Sequence, residues 1–288
     1  NNVGLAATFR PFLAAMRVRG ETAEAVAAGL AVMETHAEPC PVSDVIDICG
    51  TGGDGIDTIN VSTAAGFVVA AAGVRVAKHG NRAASSKCGS ADVLEALGAR
   101  IDLGGEQVAK VINSCGFGFL FAQRFHPAMR HVGGPRREIG IRTIFNILGP
   151  LSNPARPRAQ LVGVGARAIG PIVAEALALR GMARALVVHS NDGMDEISTA
   201  VPPHAWIVAA GAASERELAP ADFALPVRPI SDVAGGDPRQ NAGDILAILD
   251  GHDGPKTEFV LMNAAAALFV AGKATAFPEG VVLAREAI

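Results

Sequence analysis

Apolar residues recur along this chain with two different periodicities. Residues 5–20 and 23–37 carry them at the three-to-four-residue spacing of an amphipathic helix, and Gly20 separates the two runs. Two prolines, Pro39 and Pro41, end this section. The beginning of the chain therefore predicts a pair of helices.

From Ser43 onward, short apolar runs alternate with helical stretches. Runs of five to eight residues that are too short for helices and rich in β-branched or aromatic residues predict strands. These runs are DVIDI (44–48), VRVAKHG (74–80), GFGFLFAQ (116–123), ALVVHS (185–190) and HAWIVAA (204–210). Such alternation is typical of an α/β domain with a largely parallel sheet.

A helical insert interrupts this alternation before ALVVHS. HPAMRHV (126–132) and RREIGIRTIFNILG (136–149) both have helical periodicity, and Gly133-Gly134-Pro135 separates them. A proline-rich joint at 151–157 closes the insert. We therefore predict a small α-helical domain plus a larger α/β domain with a mainly parallel central sheet. The helical domain comprises 1–42 and 123–150, and the α/β domain comprises 43–122 and 151–288.

Composition and charge exclude several classes of protein. Half of the 288 residues are apolar, which is enough for a large core, and the net charge of −3 provides no basic surface for nucleic acid. The longest uncharged stretch, 58–74, is shorter than the ~20 residues that a membrane span needs and contains polar residues. We expect neither a nucleic-acid partner nor a membrane location.

The four cysteines and the N-terminal segment indicate a cytoplasmic protein. No two cysteines have CxxC spacing, which argues against a zinc knuckle or a thioredoxin-like site and fits reduced thiols. The first residues lack the basic region and cleavage site of a signal peptide.

The segment GTGGDGIDTINVST (50–63) lies between a predicted strand and a predicted helix. Glycines let successive backbone N–H groups turn toward one point, and a helix start adds further N–H groups and the positive end of its dipole. The hydroxyl groups of Thr58, Ser62 and Thr63 can donate further hydrogen bonds. This combination predicts a phosphate or pyrophosphate site.

The same glycines also fit the dinucleotide fingerprint as Gly50-x-Gly52-x-x-Gly55. That fingerprint expects an acidic residue about 20 positions later, which binds a ribose hydroxyl. The corresponding stretch has Arg75 and Lys78 and no acidic residue. A dinucleotide-dependent oxidoreductase is therefore the weaker interpretation, and a glycine-rich turn without a ligand is the structural alternative.

A second polar loop, KHGNRAASSKCGSAD (78–92), follows the next predicted strand. It combines hydroxyl, amide and cationic side chains and has no acidic residue before Asp92. Ligands bind at the carboxyl ends of parallel strands, so this loop indicates a second part of an anion site. A solvated polar loop is the alternative.

The loop SNDGMDEIS (190–198) follows ALVVHS and contains two adjacent carboxylates, Asp195 and Glu196. One or two carboxylates are enough to hold Mg²⁺ when substrate phosphates and water complete its coordination. Beside two anion-binding loops, this pair predicts a magnesium site, although an isolated pair on a surface loop is usually only solvated.

Three arginines, Arg136, Arg137 and Arg142, lie close together at the helical insert. The planar guanidinium group suits a substrate carboxylate, but arginines on helices usually form salt bridges. Sequence alone leaves open which of the three binds a ligand. His126 and His189 flank the predicted loops, show no metal-like spacing and are interpreted as structural.

Together these segments resemble the anthranilate phosphoribosyltransferase family. The signature is GTGGDG with NVST, KHGNRAASS with GSADVLEALG, RREIGIRTIFNILGPLSNP and GMDEIS, in this order, and the likeness extends from about Leu5 to Ile288. The KHGNRAASS segment is specific, since the related pyrimidine nucleoside phosphorylases share the two-domain plan but differ there. The chain starts inside the family's N-terminal helical region, so one or two helices are expected to be missing.

The resemblance implies transfer of the phosphoribosyl group of PRPP (5-phosphoribosyl-1-pyrophosphate) to the amine of anthranilate, with Mg²⁺, on the way to tryptophan. It also implies a homodimer formed through the helical parts. The family's PRPP contacts match Gly50, Gly53, Asp54, Thr58, Asn60, Val61, Ser62, Thr63, Lys78, Ser85, Ser86 and Ser90. Its magnesium ligands match Ser62, Asp195 and Glu196. Its anthranilate contacts match Gly50, Asn81 and Arg136, with His79 close by, and we expect Gly80, Arg82, Ala83 and Ala84 to line the same site.

Three other functions remain as alternatives. A pyrimidine nucleoside phosphorylase would cleave nucleosides with inorganic phosphate and would not use PRPP. A dinucleotide-dependent oxidoreductase would bind NAD(H). A non-catalytic relative that binds nucleic acid would need a positive surface, which the net charge of −3 opposes.

Overall fold

A computed structural model describes residues 2–83 and 86–288 of the chain. Its strands are β1 (Ile46–Gly50), β2 (Val76–Gly80), β3 (Phe117–Phe121), β4 (Ala159–Gly163), β5 (Arg184–Ser190), β6 (Pro203–Ala209) and β7 (Ala212–Glu217). They form one sheet in the order β3-β2-β1-β4-β5-β6-β7. The first five strands in this order are parallel, and β6 and β7 are antiparallel additions at one edge. The expected α/β class with a mainly parallel sheet is confirmed.

The helices are α1 (Asn2–Arg19), α2 (Ala23–Thr35), α3 (Val61–Ala71), α4 (Ser90–Ala96), α5 (Gly105–Cys115), α6 (Ala122–Phe125), α7 (Arg130–Ile139), α8 (Phe145–Leu151), α9 (Gly170–Leu179), α10 (Pro238–Leu249), α11 (Pro255–Val270) and α12 (Phe277–Ala287). The predicted helices at the beginning of the chain are confirmed as α1 and α2. Gly20 separates them with φ of 86°, and the Thr22 hydroxyl oxygen accepts a hydrogen bond from the Ala25 N–H at the start of α2.

Two strands, β4 and β7, were not predicted from the sequence. The strand β4 contains Gln160, which interrupts its apolar pattern but is buried with its amide 3.5 Å from the Asp47 carboxylate. Every residue of β7 is exposed, so this edge strand has no alternating apolar positions. Both strands depend on pairing with their neighbours in the sheet, which a local pattern does not reveal.

The predicted boundaries in the helical insert are wrong at two points. The helix α7 continues through Gly133-Gly134-Pro135, and the Pro135 side chain is buried. The run 136–149 is not one helix, because α7 ends at Gly140, which has φ of 65° and donates its N–H to the Arg136 carbonyl. A short connection then leads to α8.

Side chains from the two faces of the sheet enter two different cores. Ile46 and Ile48 of β1 pack on the side of α3, α11 and α12. Cys49 of the same strand packs with Val162 and Val187 on the side of α1, α2, α8 and α9. The helices of the predicted small domain therefore share a core with one face of the sheet. The division into two domains stays a prediction.

The loop that follows β5 is fastened to the long buried helix α11. Asn263 of α11 is fully buried, accepts a hydrogen bond from the Ile197 N–H at 3.1 Å and donates one to the Ile197 carbonyl at 3.2 Å. Buried polar groups need such partners, and this one fixes a loop that has no regular structure of its own. In the described parts of the chain, no helix is long and apolar enough to cross a membrane.

Candidate active site

A cleft of about 880 Å³ opens at the carboxyl ends of the parallel strands, beneath α7 and α8. Almost every residue predicted for the site lines it. These residues are Gly50, Gly53, Asp54, Thr58, Asn60, Val61, Ser62, Thr63, Lys78, His79, Gly80, Asn81, Arg82, Ala83, Ser86, Ser90, Arg136, Asp195 and Glu196. The predicted contacts Ala84 and Ser85 lie outside the described residues.

The glycine-rich loop after β1 has three residues in the left-handed region. The φ angles of Gly52, Gly53 and Gly55 are 68°, 73° and 77°, a conformation that side chains disfavour. The Gly52 N–H donates a hydrogen bond of 2.6 Å to the Asp195 carboxylate. The loop therefore takes a fixed course directly beside the loop that follows β5.

The helix α3 begins at the end of this loop without a side-chain cap. Its preceding residue, Asn60, instead donates its side-chain amide to the Cys88 carbonyl at 3.0 Å and accepts a hydrogen bond from the Asn241 side chain at 2.9 Å. These contacts hold the helix start against the second loop and α10. Because Val61 and Ser62 line the cleft, the start of α3 faces it, and an anion there meets the positive end of the helix dipole.

Lys78 of β2 is almost fully buried at the floor of the cleft, with 2% exposure. Its Nζ donates hydrogen bonds to the Ile48 carbonyl at 2.6 Å and to the Ser62 hydroxyl at 3.0 Å. Burial lowers the pKa of Lys78, and the nearby carboxylate of Asp47 opposes this shift. Asp47 is itself fully buried, which raises its pKa to about 6. The two charges therefore stabilise each other in a site with little water.

The second loop is pinned to α4 by charged hydrogen bonds. Arg82 pairs with Asp92 and Glu95 and lies 5.6 Å from the centre of the Phe121 ring. The Asp92 carboxylate also accepts hydrogen bonds from the N–H groups of Ala83 and Gly89, both at 2.9 Å. Arg82 lines the cleft as expected, and its guanidinium group also holds the loop against α4, so a contact with substrate stays a prediction.

Asp195 and Glu196 approach the cleft because two glycines make room for their loop. Gly50 and Gly163 are paired across β1 and β4. A Cβ atom on Gly50 would lie 2.4 Å from the Asp195 Oδ2 atom, and one on Gly163 would lie 1.5 Å from the Asp195 carbonyl oxygen. The Ser190 hydroxyl donates a hydrogen bond of 2.7 Å to the Glu196 carbonyl and holds the loop from its other side.

These acidic groups repel one another in a buried place. Burial, followed by the nearby Asp54 carboxylate, raises the pKa of Asp195 to about 6. Burial, followed by Asp195, raises the pKa of Glu196 well above its usual range, although a hydrogen bond with Ser62 opposes this. A cation bound among these groups would favour their ionised forms. No group of three or more His, Cys, Asp or Glu side chains within residues 2–83 and 86–288 has the arrangement of a complete metal site.

Two histidines also line the cleft. The rings of His79 and His126 are buried and meet edge to face, with their centres 5.1 Å apart. Burial, followed by His126, lowers the pKa of His79 to about 3, so its ring is neutral near pH 7. The Nε2 atom of His79 has no hydrogen-bond partner among the residues that the structure describes. His126 was interpreted as structural, but it lines the cleft, whereas His189 bonds the Val164 carbonyl away from it.

The three arginines of the insert all line the cleft, but they differ in burial and in contacts. Arg136 is partly buried, lines the cleft and lies 5.3 Å from the centre of the Phe145 ring. Burial lowers its pKa. Arg137 is exposed, and Arg142 reaches over the glycine-rich loop, where it donates hydrogen bonds to two carbonyls. Burial and the aromatic support favour Arg136 for a ligand carboxylate.

Comparison with known proteins decides the family. A family model described as "Glycosyl transferase family, a/b domain" matches residues 42–288. Anthranilate phosphoribosyltransferase 2 of Streptomyces coelicolor is 50% identical over 285 residues, which cover 98% of this chain and 85% of that protein. This chain belongs to the anthranilate phosphoribosyltransferase family.

Solved structures of anthranilate phosphoribosyltransferases share the fold of nearly all of this chain. The enzyme of Thermus thermophilus has a TM-score of 0.93 and 43% identity, over 98% of this chain and 85% of that chain. The Saccharomyces cerevisiae enzyme in complex with PRPP and Mg has a TM-score of 0.90 and 30% identity, over 99% of this chain and 82% of that chain. The same yeast enzyme in complex with 4-fluoroanthranilate has a TM-score of 0.88 and 29% identity, over 99% of this chain and 81% of that chain.

Sequence analysis missed residues that shape this site without carrying its chemistry. Gly163 makes room for Asp195, and Asn241 orients Asn60. The sequence Gly163-Val-Gly165 directly after an apolar run was a signal for Gly163, since small residues at strand ends allow close approach. No local signal indicated Asn241, because it lies 181 positions from its partner.

A methyl group at Gly163 must displace the Asp195 backbone. We expect Gly163→Ala to lower the free energy of unfolding by about 1–3 kcal/mol, as overpacking does. Gly243→Ala is the matched control, because a Cβ atom there has no neighbour within 4 Å in the helix α10. It should be neutral or stabilise the protein by about 0.4–1 kcal/mol. Urea unfolding followed by circular dichroism measures both, and equal stabilities would contradict the close contact at Gly163.

Proposed function

We propose that this chain transfers the 5-phosphoribosyl group of PRPP to the amine of anthranilate. The products are N-(5-phosphoribosyl)anthranilate and pyrophosphate, and the step belongs to tryptophan biosynthesis. The observation that carries this proposal is a single cleft lined by two sets of groups, one suited to phosphates and one suited to a carboxylate. The first set, which we assign to the PRPP end, is a glycine-rich loop and a helix start. The second set, which we assign to the acceptor end, is Arg136 with two histidines whose pKa values burial lowers.

The PRPP end relies on backbone N–H groups and buried cations. The loop from Gly50 to Asp54 and the start of α3 would hold phosphate oxygens, and Lys78 supplies a buried positive charge beneath them. The side chain of Asn60 is engaged elsewhere, so it supports the helix start and does not point freely at the ligand. In such a site, fixed dipoles stabilise a leaving pyrophosphate without having to reorganise.

We propose that Mg²⁺ binds at Asp195 and Glu196, with Ser62 beside them. The residues fit this ion, because their donors are oxygens and burial together with neighbouring carboxylates raises the pKa values of Asp195 and Glu196. Two carboxylates leave coordination positions for substrate phosphates and water, as Mg²⁺ prefers. The bound ion would neutralise charge on the pyrophosphate leaving group.

The acceptor end would orient anthranilate and needs no strong base. The amine of anthranilate carries a lone pair that can attack C1 of PRPP as the bond from C1 to pyrophosphate breaks, and the proton that the amine then loses can pass to the leaving pyrophosphate or to water. Arg136 would hold the carboxylate of anthranilate, and Asn81 and His79 would surround its ring. Since burial keeps the pKa of His79 near 3, this ring can accept a hydrogen bond but is a poor proton acceptor. Catalysis would therefore come from positioning and from charge stabilisation.

We also propose a cytoplasmic homodimer with a small helical domain. The helices α1 and α2 expose the large apolar side chains of Phe12, Val18 and Val32, which a partner subunit could cover. Segments 1–42 and 123–150 would form the domain that closes over the α/β part. All four cysteines, Cys40, Cys49, Cys88 and Cys115, are free thiols, which supports a reducing compartment.

Anthranilate fluorescence provides the direct test of the proposed activity. The signal should fall with time only when protein, PRPP and Mg²⁺ are all present, and mixtures without PRPP should stay constant. The same protein should not cleave pyrimidine nucleosides with inorganic phosphate. Folded protein that leaves the fluorescence unchanged, or that cleaves nucleosides, would refute the assignment.

The double substitution Asp195→Asn with Glu196→Gln tests the magnesium site. Removing both charges while keeping both shapes should lower kcat roughly 100-fold and raise the Mg²⁺ concentration needed for half-maximal rate. Glu286→Gln, on the exposed side of α12, is the control and should leave both quantities unchanged. A magnesium titration of the rate measures them. Unchanged magnesium dependence in the double variant would rule out this pair as the metal ligands.

Arg136→Ala tests the acceptor end of the cleft. Loss of a charged hydrogen-bond donor should raise the KM for anthranilate roughly tenfold to a hundredfold and affect the KM for PRPP much less. Arg137→Ala is the comparison, because its exposed side chain predicts a small effect on either KM. Steady-state kinetics with each substrate varied in turn measures both KM values and decides whether Arg136 or Arg137 binds the anthranilate carboxylate. A larger anthranilate effect from Arg137→Ala would exchange the two roles.

A further inference from the structure

Arg142 makes an unusual contact between the helical insert and the glycine-rich loop. It lies in the connection between α7 and α8, and its Nη2 atom donates hydrogen bonds to the carbonyls of Gly52 and Gly53 at 2.8 and 2.9 Å. Both glycines have positive φ angles. Since glycine adopts many backbone conformations at little cost, this loop needs outside contacts to select one of them.

The contact determines where the N–H groups of the loop point. In a planar trans peptide, the carbonyl and the N–H of the same unit face opposite directions. With the carbonyls of Gly52 and Gly53 turned toward Arg142, the N–H groups of Gly53 and Asp54 point away from it. A loop with these peptides reversed would present carbonyl oxygens to a phosphate and repel it.

Two glycines, Gly53 and Gly165, leave space for the guanidinium group of Arg142. A Cβ atom on Gly53 would lie 2.2 Å from the Arg142 Nη2 atom, and one on Gly165 would lie 3.5 Å from it. The position of Gly165 is itself fixed, because its N–H donates a hydrogen bond of 3.0 Å to the Thr51 hydroxyl. At the same loop, the Asp195 carboxylate accepts a hydrogen bond from the Gly52 N–H. The loop is thus held between a cation and an anion.

We propose that Arg142 is a positioning residue that sets the peptide orientation of the PRPP loop. This inference rests on the proposed function, because it assigns the loop to the phosphates of PRPP. Arg142 acts through the backbone of Gly52 and Gly53, whereas Arg136 is assigned to anthranilate. Removing Arg142 should therefore weaken the binding of PRPP and leave the binding of anthranilate intact. Removing Arg136 should weaken the binding of anthranilate and affect that of PRPP much less.

The test compares Arg142→Ala and Arg142→Lys with wild type and with Arg130→Ala. Arg130 is the matched control, because it is exposed on α7 and does not line the cleft. Arg142→Ala should raise the KM for PRPP about tenfold to a hundredfold with an unchanged KM for anthranilate. Arg142→Lys keeps the charge, and its KM for PRPP should lie between those of wild type and Arg142→Ala. Added methylguanidinium should bring the KM of Arg142→Ala for PRPP back toward the wild-type value.

Calorimetric binding of inorganic pyrophosphate with Mg²⁺ separates this inference from the proposed function. Pyrophosphate should bind Arg142→Ala more weakly than wild type by the same factor as the change in KM for PRPP. Unchanged PRPP and pyrophosphate affinities in both Arg142 variants would overturn the positioning role, as would equal rises of both KM values together with a lower Tm. An inactive wild-type protein would refute the proposed function, and the pyrophosphate affinities would still decide the role of Arg142.

Discussion

The close approach of the Asp195 loop to the paired glycines of β1 and β4 governs the arrangement of the site. Gly50 and Gly163 stand side by side in the sheet, and any larger residue at either position would meet Asp195. Only because this space is open can a carboxylate from beyond β5 reach the Gly52 N–H. One packing constraint thus brings together the glycine-rich loop, the acidic pair and the edge of the sheet.

The charges gathered by this packing explain why the cleft suits a metal and a polyanion together. Acidic groups that raise one another's pKa lie beside Lys78, a buried cation with its own buried counter-charge in Asp47. Burial makes these groups depend on opposite charges close by, because water screens them less than at the surface. A divalent cation would satisfy the acidic groups, and a phosphate would satisfy Lys78 and the helix start. A magnesium–pyrophosphate unit would satisfy both sets at once.

Much of the site could be predicted from the sequence, because a glycine-rich turn before an apolar helix, or two carboxylates after a strand, can be recognised within about a dozen residues. What could not be predicted depends on tertiary packing. The sequence identifies Arg82 as a cation in a loop but not that acidic residues of α4 engage it. Pro135 predicts a break, yet α7 runs through it and buries its side chain. Asn241 and Asn263 look like ordinary helix residues, but each holds a loop of the site from a distant part of the chain.

The buried histidine pair shows what kind of catalysis the cleft can support. A histidine that serves as a general base works best with a pKa near the working pH, but burial places that of His79 near 3. Its unpaired Nε2 atom can still accept a hydrogen bond from a substrate N–H and so direct an amine. An aromatic amine already has the lone pair that it needs for attack. The structure therefore favours a site that aligns the amine and draws charge away at the leaving group, with the backbone N–H groups of the loop and the acidic pair at the opposite end of the same cleft.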